Sequence, residues 1–216
     1  MDDNVLLATT REKLIKKIQL LMQFCNKYGM VINETKTNIM VVNGCVVDKE
    51  PIFINNLSIK HCDIYTYLGS PFTSDGLLSS AVKAHAQEKM ADFHKFVSFI
   101  EKNYDIPFIV KKRIFDACLL SAILYGCESW LNGDLKPVIK IYNWALKRLL
   151  DVRTTTCNDL CYIEAGYSSL KAIVKNRQRN FFTKMYNERK FMTDHPFNLV
   201  LNLVLNNRYN SKSKGF

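Results

Sequence analysis

Apolar positions between residues 14 and 25 recur every three or four residues, a spacing that predicts one amphipathic helix of about five turns. Thr9 and Glu12 have the spacing of an N-terminal capping box, and Gly29 is placed to end the helix. Residues 4–8, directly before the helix, form a short apolar run that predicts a buried strand. The chain is therefore expected to open with a strand followed by a helix.

Short runs rich in Val, Ile and Met follow this helix and predict further strands. They lie at residues 30–33, 38–42, 51–61 and 64–69. Within the third run, Asn55 and Asn56 separate two alternating segments, a pattern typical of a β-hairpin turn. The first 75 residues are thus predicted to combine one helix with several short antiparallel strands.

From Leu77 onward the apolar positions follow helical periodicity. Helices are predicted at about residues 81–100, 107–126, 135–152 and 170–191. Pro107 and Pro137 each fall in the opening turn of a predicted helix, where the missing amide hydrogen costs nothing. A final apolar piece, residues 197–205, precedes a polar tail. The fold class expected is α+β, with an all-helical second part.

Several aromatic side chains fall at apolar positions of the predicted helices. They are Phe93, Phe96, Phe99, Tyr125, Trp130, Tyr142 and Trp144. Exposed aromatic rings can stack on nucleic-acid bases, but at helical positions of this kind they more often fill the core of a bundle. We therefore predict a core role for these rings.

The net charge of +10 is concentrated in the last part of the chain. Residues 1–135 hold 15 Lys and Arg against 15 Asp and Glu, whereas residues 136–216 hold 15 against 5. Lys and Arg displace condensed counterions from phosphates, so a basic segment beside a neutral one favours a polyanion as partner. A solvated helical surface with a basic bias is the alternative, and charge alone leaves both open.

Membrane and secreted proteins are disfavoured by the pattern. No apolar stretch reaches the roughly 20 residues that a bilayer span requires, and the acidic N-terminus lacks the features of a signal peptide. Seven cysteines without framework spacing are typical of free thiols, and no set of Cys and His has the spacing of a zinc site. We expect a reducing compartment, the nucleus or the cytoplasm, and no membrane partner.

Two adjacent carboxylates, Asp2 and Asp3, stand just before the first apolar run, and Lys36 follows the first helix. Paired carboxylates at a turn suit Mg²⁺, which takes oxygen ligands and catalyses phosphoryl transfer. A lysine near such a centre could stabilise or protonate a pyrophosphate leaving group. Taken singly, each of these residues is also typical of an exposed surface charge.

Several sequence blocks, in order along the chain, resemble one family. MDDNVLLA resembles the Asp-Asp turn of reverse transcriptases, GMVINETKTNIMVV a following segment of the palm, and YTYLGSPF the primer-grip segment. The blocks SAILYGCESW, KIYNWALKRLL and RTTTCNDLCYIEAGY resemble the region beyond the palm in non-LTR (LINE-type) retrotransposon polymerases. The chain is thus identified as a C-terminal palm and thumb fragment of such a reverse transcriptase.

This resemblance implies roles for particular residues. Asp2 and Asp3 match the catalytic, metal-binding carboxylates that hold Mg²⁺, and Lys36 matches the lysine that follows the palm helix. The primer-grip segment corresponds to Tyr67, Leu68 and Gly69. A set of basic residues on the later helices would face nucleic-acid phosphates. They are Lys147, Arg148, Lys175, Arg177 and Arg179.

The resemblance also implies a domain organisation and partners. Residues 1–75 would form a partial palm, residues 76–152 a helical thumb, and residues 153–216 a basic C-terminal helical region. The partners would be an RNA template paired with a DNA primer, together with a deoxynucleoside triphosphate in the complete enzyme.

Departures from the family limit what this chain is expected to do. This sequence has no counterpart of three features of the family: the aromatic residue before the catalytic turn, the third aspartate of the palm, and the nucleotide-binding fingers. The resemblance therefore implies that the sequence begins within an active site. Catalysis depends on ligands held in place by a supporting shell, so we expect no polymerase activity from the chain alone. The alternatives are a non-catalytic nucleic-acid-binding module and a non-functional retroelement remnant.

Overall fold

The computed structural model describes residues 4–45, 47–55 and 57–189. The helices are α1 Arg11–Lys27, α2 Leu78–Lys102, α3 Phe108–Ile114, α4 Ser121–Ile123, α5 Lys136–Leu149, α6 Asn158–Ala165 and α7 Leu170–Arg189. The strands are β1 Asn38–Ile39, β2 Ile52–Ile54, β3 Leu57–His61, β4 Ile64–Tyr67 and β5 Ser70–Thr73. The α+β class is confirmed, with the strands in the first part and the long helices in the second.

Helix α1 begins and ends with recognisable caps. Its N-cap is Thr10, whose hydroxyl accepts a hydrogen bond from the Lys13 amide, so the predicted capping box at Thr9 is wrong by one residue. The predicted role of Gly29 is confirmed, because its φ of +67° lets the Met30 amide reach back to the Cys25 carbonyl at 2.8 Å.

The three-stranded sheet has the order β1-β3-β2. Strand β1 is parallel to β3, while β2 and β3 form an antiparallel hairpin in which Ile54 pairs with Leu57. The predicted hairpin is therefore confirmed, and Asn55 adopts the positive φ of +51° typical of two-residue turns, while Asn56 lies outside the described residues.

Two predicted strands do not form. Residues 4–8 and 30–33 carry no strand hydrogen bonds, because no partner strand lies beside them in the described part of the chain. Residues 33–37 instead form a turn around the Asn33 side chain, which accepts hydrogen bonds from the amides of Thr35 and Lys36. Lys17 donates to the Leu7 carbonyl and thereby fastens the N-terminal segment to α1.

Apolar side chains form two separate buried clusters. The smaller cluster lies between α1 and the β2–β3 hairpin and contains Ile18, Ile52, Ile54, Leu57 and Ile59. The larger cluster is formed by α2, by the helical segment that runs from α3 to α4, by α5, and by the N-terminal half of α7. Most of the apolar stabilisation therefore resides in the helical part.

A π-helical segment, Phe115–Leu120, joins α3 to α4 and makes one continuous rod. Phe115 of this segment is fully buried against the rings of Phe96 and Tyr142. The neighbouring Asp116 accepts a hydrogen bond of 2.6 Å from the Tyr167 hydroxyl. The rod is thereby tied to the segment between α6 and α7.

The prediction for the aromatic side chains is confirmed for most of them. Trp130 and Tyr142 are buried, as are Phe93 and Phe96, and the rings of Phe99 and Trp144 pack against the same cluster. The exception is Tyr125, whose side chain is 50% exposed. Its contacts are described with the candidate site.

The second sheet is the β4–β5 hairpin, which packs against α2. Thr66 donates a hydrogen bond of 2.7 Å to the Glu88 carboxylate of α2. Asp75, two residues after β5, accepts bonds from the Leu77 amide and the Ser80 hydroxyl and so connects the end of the hairpin to the first turn of α2. The hairpin is thus held against the helices that follow it, and the boundary between residues 75 and 76 stays a prediction.

None of the helices in the described ranges has an apolar stretch long enough to span a bilayer. All seven cysteines are free thiols.

Candidate nucleic-acid interface

The predicted primer-grip residues form the tip of the β4–β5 hairpin. Tyr67 pairs with Ser70, which leaves Leu68 and Gly69 as the two residues of the turn. Both have positive φ, +48° for Leu68 and +78° for Gly69, the backbone geometry of a tight two-residue hairpin. Because a leucine rarely adopts this conformation, the surroundings must hold the turn in place.

Tyr125, near the end of the helical rod, supplies that support. Its hydroxyl donates a hydrogen bond of 2.7 Å to the Leu68 carbonyl. Its ring lies so close to Gly69 that a Cβ there would be 3.0 Å from Cε1. The next residue, Gly126, has a φ of +69°, and a Cβ on it would be 3.1 Å from the Ser70 hydroxyl. The hairpin tip and the rod are therefore in direct contact.

The structure describes one of the three predicted catalytic residues. Lys36 is exposed and lies in the turn around Asn33. Asp2 and Asp3 lie outside the described residues. Within the described ranges, no group of three or more His, Cys, Asp or Glu side chains is arranged to hold a metal ion.

The basic residues predicted on α5 differ in their surroundings. Lys147 is only 8% exposed, and its ammonium donates a hydrogen bond of 2.7 Å to the Thr154 carbonyl. Because this ammonium is held by the protein's own backbone, we expect Lys147 to support the fold and not to contact a phosphate. Arg148, the next residue, is exposed.

The basic residues predicted on α7 are all exposed. They are Lys175, Arg177 and Arg179, and Arg179 donates to the Asn176 side chain at 2.7 Å. The Cys127 thiol, near Arg177, is buried. Burial raises the pKa of that thiol to about 11, so it stays protonated and unreactive at neutral pH.

A buried histidine lies inside the helical part and was not found by the sequence analysis. His85 of α2 is 1% exposed, packs edge-on against the Trp130 ring and donates from Nε2 to the Ile123 carbonyl at 3.1 Å. Burial lowers the pKa of His85 below its ordinary value. Its hydrogen bond to the rod indicates a structural role.

Comparison with known proteins gives one informative similarity. The chain is 27% identical, over 154 residues, to an uncharacterised transposon-derived protein of Caenorhabditis elegans. The matched region covers 69% of this chain and 54% of that relative, so the chain spans about half the length of the curated relative. No protein-family profile and no solved structure matches the chain. The similarity is consistent with a retroelement origin.

Proposed function

We propose that the chain is the C-terminal palm and thumb portion of a non-LTR retrotransposon reverse transcriptase, and that it holds a paired RNA template and DNA primer. Three findings support this proposal. The motif blocks occur in the order of that family, the relative in Caenorhabditis elegans is transposon-derived, and the basic excess lies in the second part of the chain.

The observation that carries the proposal is the braced hairpin tip. A primer terminus has to be held in a fixed position relative to the duplex behind it, since small displacements cost large factors in rate. Tyr67, Leu68 and Gly69 lie at the tip of a rigid two-residue turn, and Tyr125 connects that turn to the helices. A support for the primer end would need this combination of an accessible tip and a fixed base.

Mg²⁺ would act in the complete polymerase, where it would be held by Asp2, Asp3 and a third carboxylate outside this sequence. A bound divalent ion supplies charge stabilisation for the attacking and leaving oxygens in phosphoryl transfer. Lys36 would assist the pyrophosphate leaving group and Arg148 would contact the duplex backbone. A deoxynucleoside triphosphate would be bound by fingers that this sequence does not contain.

A second candidate is a nucleic-acid-binding module without catalysis. The basic surface of α7 favours this candidate, because phosphate binding by exposed cations requires neither the carboxylate pair nor a nucleotide-binding domain. The two proposals make different predictions about whether adding the rest of the polymerase produces Mg²⁺-dependent primer extension.

Fluorescence anisotropy with a labelled RNA–DNA hybrid tests the binding that both candidates share. We expect affinity that falls linearly with salt on logarithmic axes and does not depend on Mg²⁺. Primer extension by the chain alone should be absent, and addition of a fingers and upstream palm fragment should restore it. Binding without restored extension would favour the binding module, and failure to bind any nucleic acid at low salt would contradict both.

A further inference from the structure

Helix α7 carries a straight row of cations on one face. Lys171, Lys175 and Arg179 follow each other at intervals of four residues, and all three are exposed. Residues four apart lie on the same face of a helix, about 6 Å apart along its axis. The row therefore presents three positive charges in one line, which can follow a single phosphate backbone.

An exposed aromatic ring continues this row toward the C-terminal end of α7. Tyr186 comes two turns after Arg179, and its side chain is 56% exposed. Phe182 lies between them on the same face and is half-buried. Since solvent-facing tyrosine rings can stack on unpaired bases, the row ends in a suitable stacking surface.

The orientation of this face is fixed by contacts on the adjoining side of α7. Leu170, Val174 and Met185 are buried. Gln178 donates to the Cys127 carbonyl at 3.1 Å. The helix therefore cannot rotate about its axis without losing these contacts, and the row stays on the surface.

We propose that the face formed by Lys171, Lys175, Arg179 and Tyr186 binds an unpaired strand of RNA or DNA that extends from the duplex. This inference rests on the proposed function, and it assigns the paired region to Arg148. A single row of cations can follow the one phosphate backbone of a single strand more closely than the two backbones of a duplex. A duplex also hides the base faces on which Tyr186 would stack, whereas a single strand exposes them.

The test compares a blunt RNA–DNA hybrid with the same hybrid carrying a single-stranded overhang, in RNA and DNA versions. Wild-type protein should bind the overhang probes more tightly than the blunt one. Tyr186→Leu should weaken overhang binding roughly tenfold with little effect on the blunt probe, and Tyr186→Phe should restore it because the ring is retained. Unequal affinity of the two overhang versions would show which nucleic acid is preferred.

Charge variants give an independent measurement. In the double variant Lys175→Gln/Arg179→Gln, the slope of log affinity against log salt for an overhang probe should fall by about 1.4, two phosphate contacts at roughly 0.7 each on a single strand. Tyr104→Leu removes a tyrosine that is 83% exposed elsewhere, and Lys16→Gln removes an exposed cation of α1. Both control variants should bind all probes as the wild type does.

Three results would overturn the inference. If the overhang adds no affinity, or if Tyr186→Leu weakens blunt and overhang probes equally, the α7 face does not select unpaired strands, although salt-dependent binding to the hybrid would leave the proposed function intact. If no probe binds in a salt-dependent manner, the proposed function fails, and the inference fails with it.

Discussion

Lys147 and Arg148 are adjacent basic residues for which the structure predicts opposite roles, and separate substitution of each by methionine distinguishes them. Lys147 is almost enclosed and donates to the Thr154 carbonyl at 2.7 Å, whereas Arg148 is exposed. Methionine keeps an unbranched stem of similar length and removes the charge. The Lys147→Met variant therefore removes one buried hydrogen bond, and Arg148→Met removes one surface cation.

The size of each effect follows from these contacts. A hydrogen bond that involves a charged group contributes about 1.5–3 kcal/mol, and the exposure of Thr154 allows water to replace part of the lost bond. We therefore expect Lys147→Met to destabilise the protein by about 1.5 kcal/mol, equivalent to a fall in Tm of roughly 3–6 °C for a chain of this size. Arg148→Met should change the free energy of unfolding by less than about 0.5 kcal/mol.

Nucleic-acid binding should respond in the opposite order. Loss of one phosphate contact lowers the slope of log affinity against log salt by about 0.9 on a duplex, and we expect this change for Arg148→Met only. Urea denaturation and anisotropy titrations of a blunt RNA–DNA hybrid at several salt concentrations would measure both quantities. Native stability together with a lowered salt slope in Lys147→Met would refute the structural role of Lys147.

Three further predictions test particular contacts. Tyr142→Phe removes the buried hydroxyl that donates to the Ser168 carbonyl at 2.8 Å, so urea denaturation should show a loss of about 1–2 kcal/mol; an unchanged midpoint would contradict this. Gly69→Ala should lower the free energy of unfolding by about 1–2 kcal/mol because of the left-handed backbone at this position, and by a further amount because the new methyl group meets the Tyr125 ring. The loss should therefore be larger than that of Gly29→Ala, since Gly29 also has positive φ but no neighbour within 4 Å. Equal losses of stability in the two variants would argue against the ring contact. Burial lowers the pKa of His85 in the folded protein, so as the pH falls the unfolded chain binds a proton at this residue before the folded protein does. The free energy of unfolding should therefore fall as the pH drops below about 6.5. His85→Gln should flatten that dependence in denaturation at pH 7.5 and 5.5, and an unchanged slope would exclude His85 as its source.

Local sequence signals predicted the elements that depend on local physics. The helical periodicity, the β2–β3 hairpin and the termination of α1 at Gly29 each depend on residues within a few positions of one another. The strands expected at residues 4–8 and 30–33 failed for the complementary reason. A strand needs a partner, and an apolar run does not specify whether one is present.

The candidate site could be predicted only in part, because its supporting contacts join distant residues. Tyr67, Leu68 and Gly69 were marked by their resemblance to a known segment, but Tyr125 lies 57 residues from Leu68 along the chain and has the spacing of a core residue. From sequence alone Lys147 is typical of a surface cation. Its burial depends on the chain after α5, which folds back so that the Thr154 carbonyl accepts a hydrogen bond from it. Contacts of this kind are visible only in three dimensions.

The π-helical segment Phe115–Leu120 bears on how related sequences should be aligned. A π-helical turn holds one residue more than an α-helical turn, so removing one residue from this segment restores ordinary α-helical geometry while the two ends of the rod keep nearly the same relative orientation. The Phe115 ring and the Tyr125 brace would then keep their contacts. We therefore expect a relative with a single-residue gap here to retain the hairpin support.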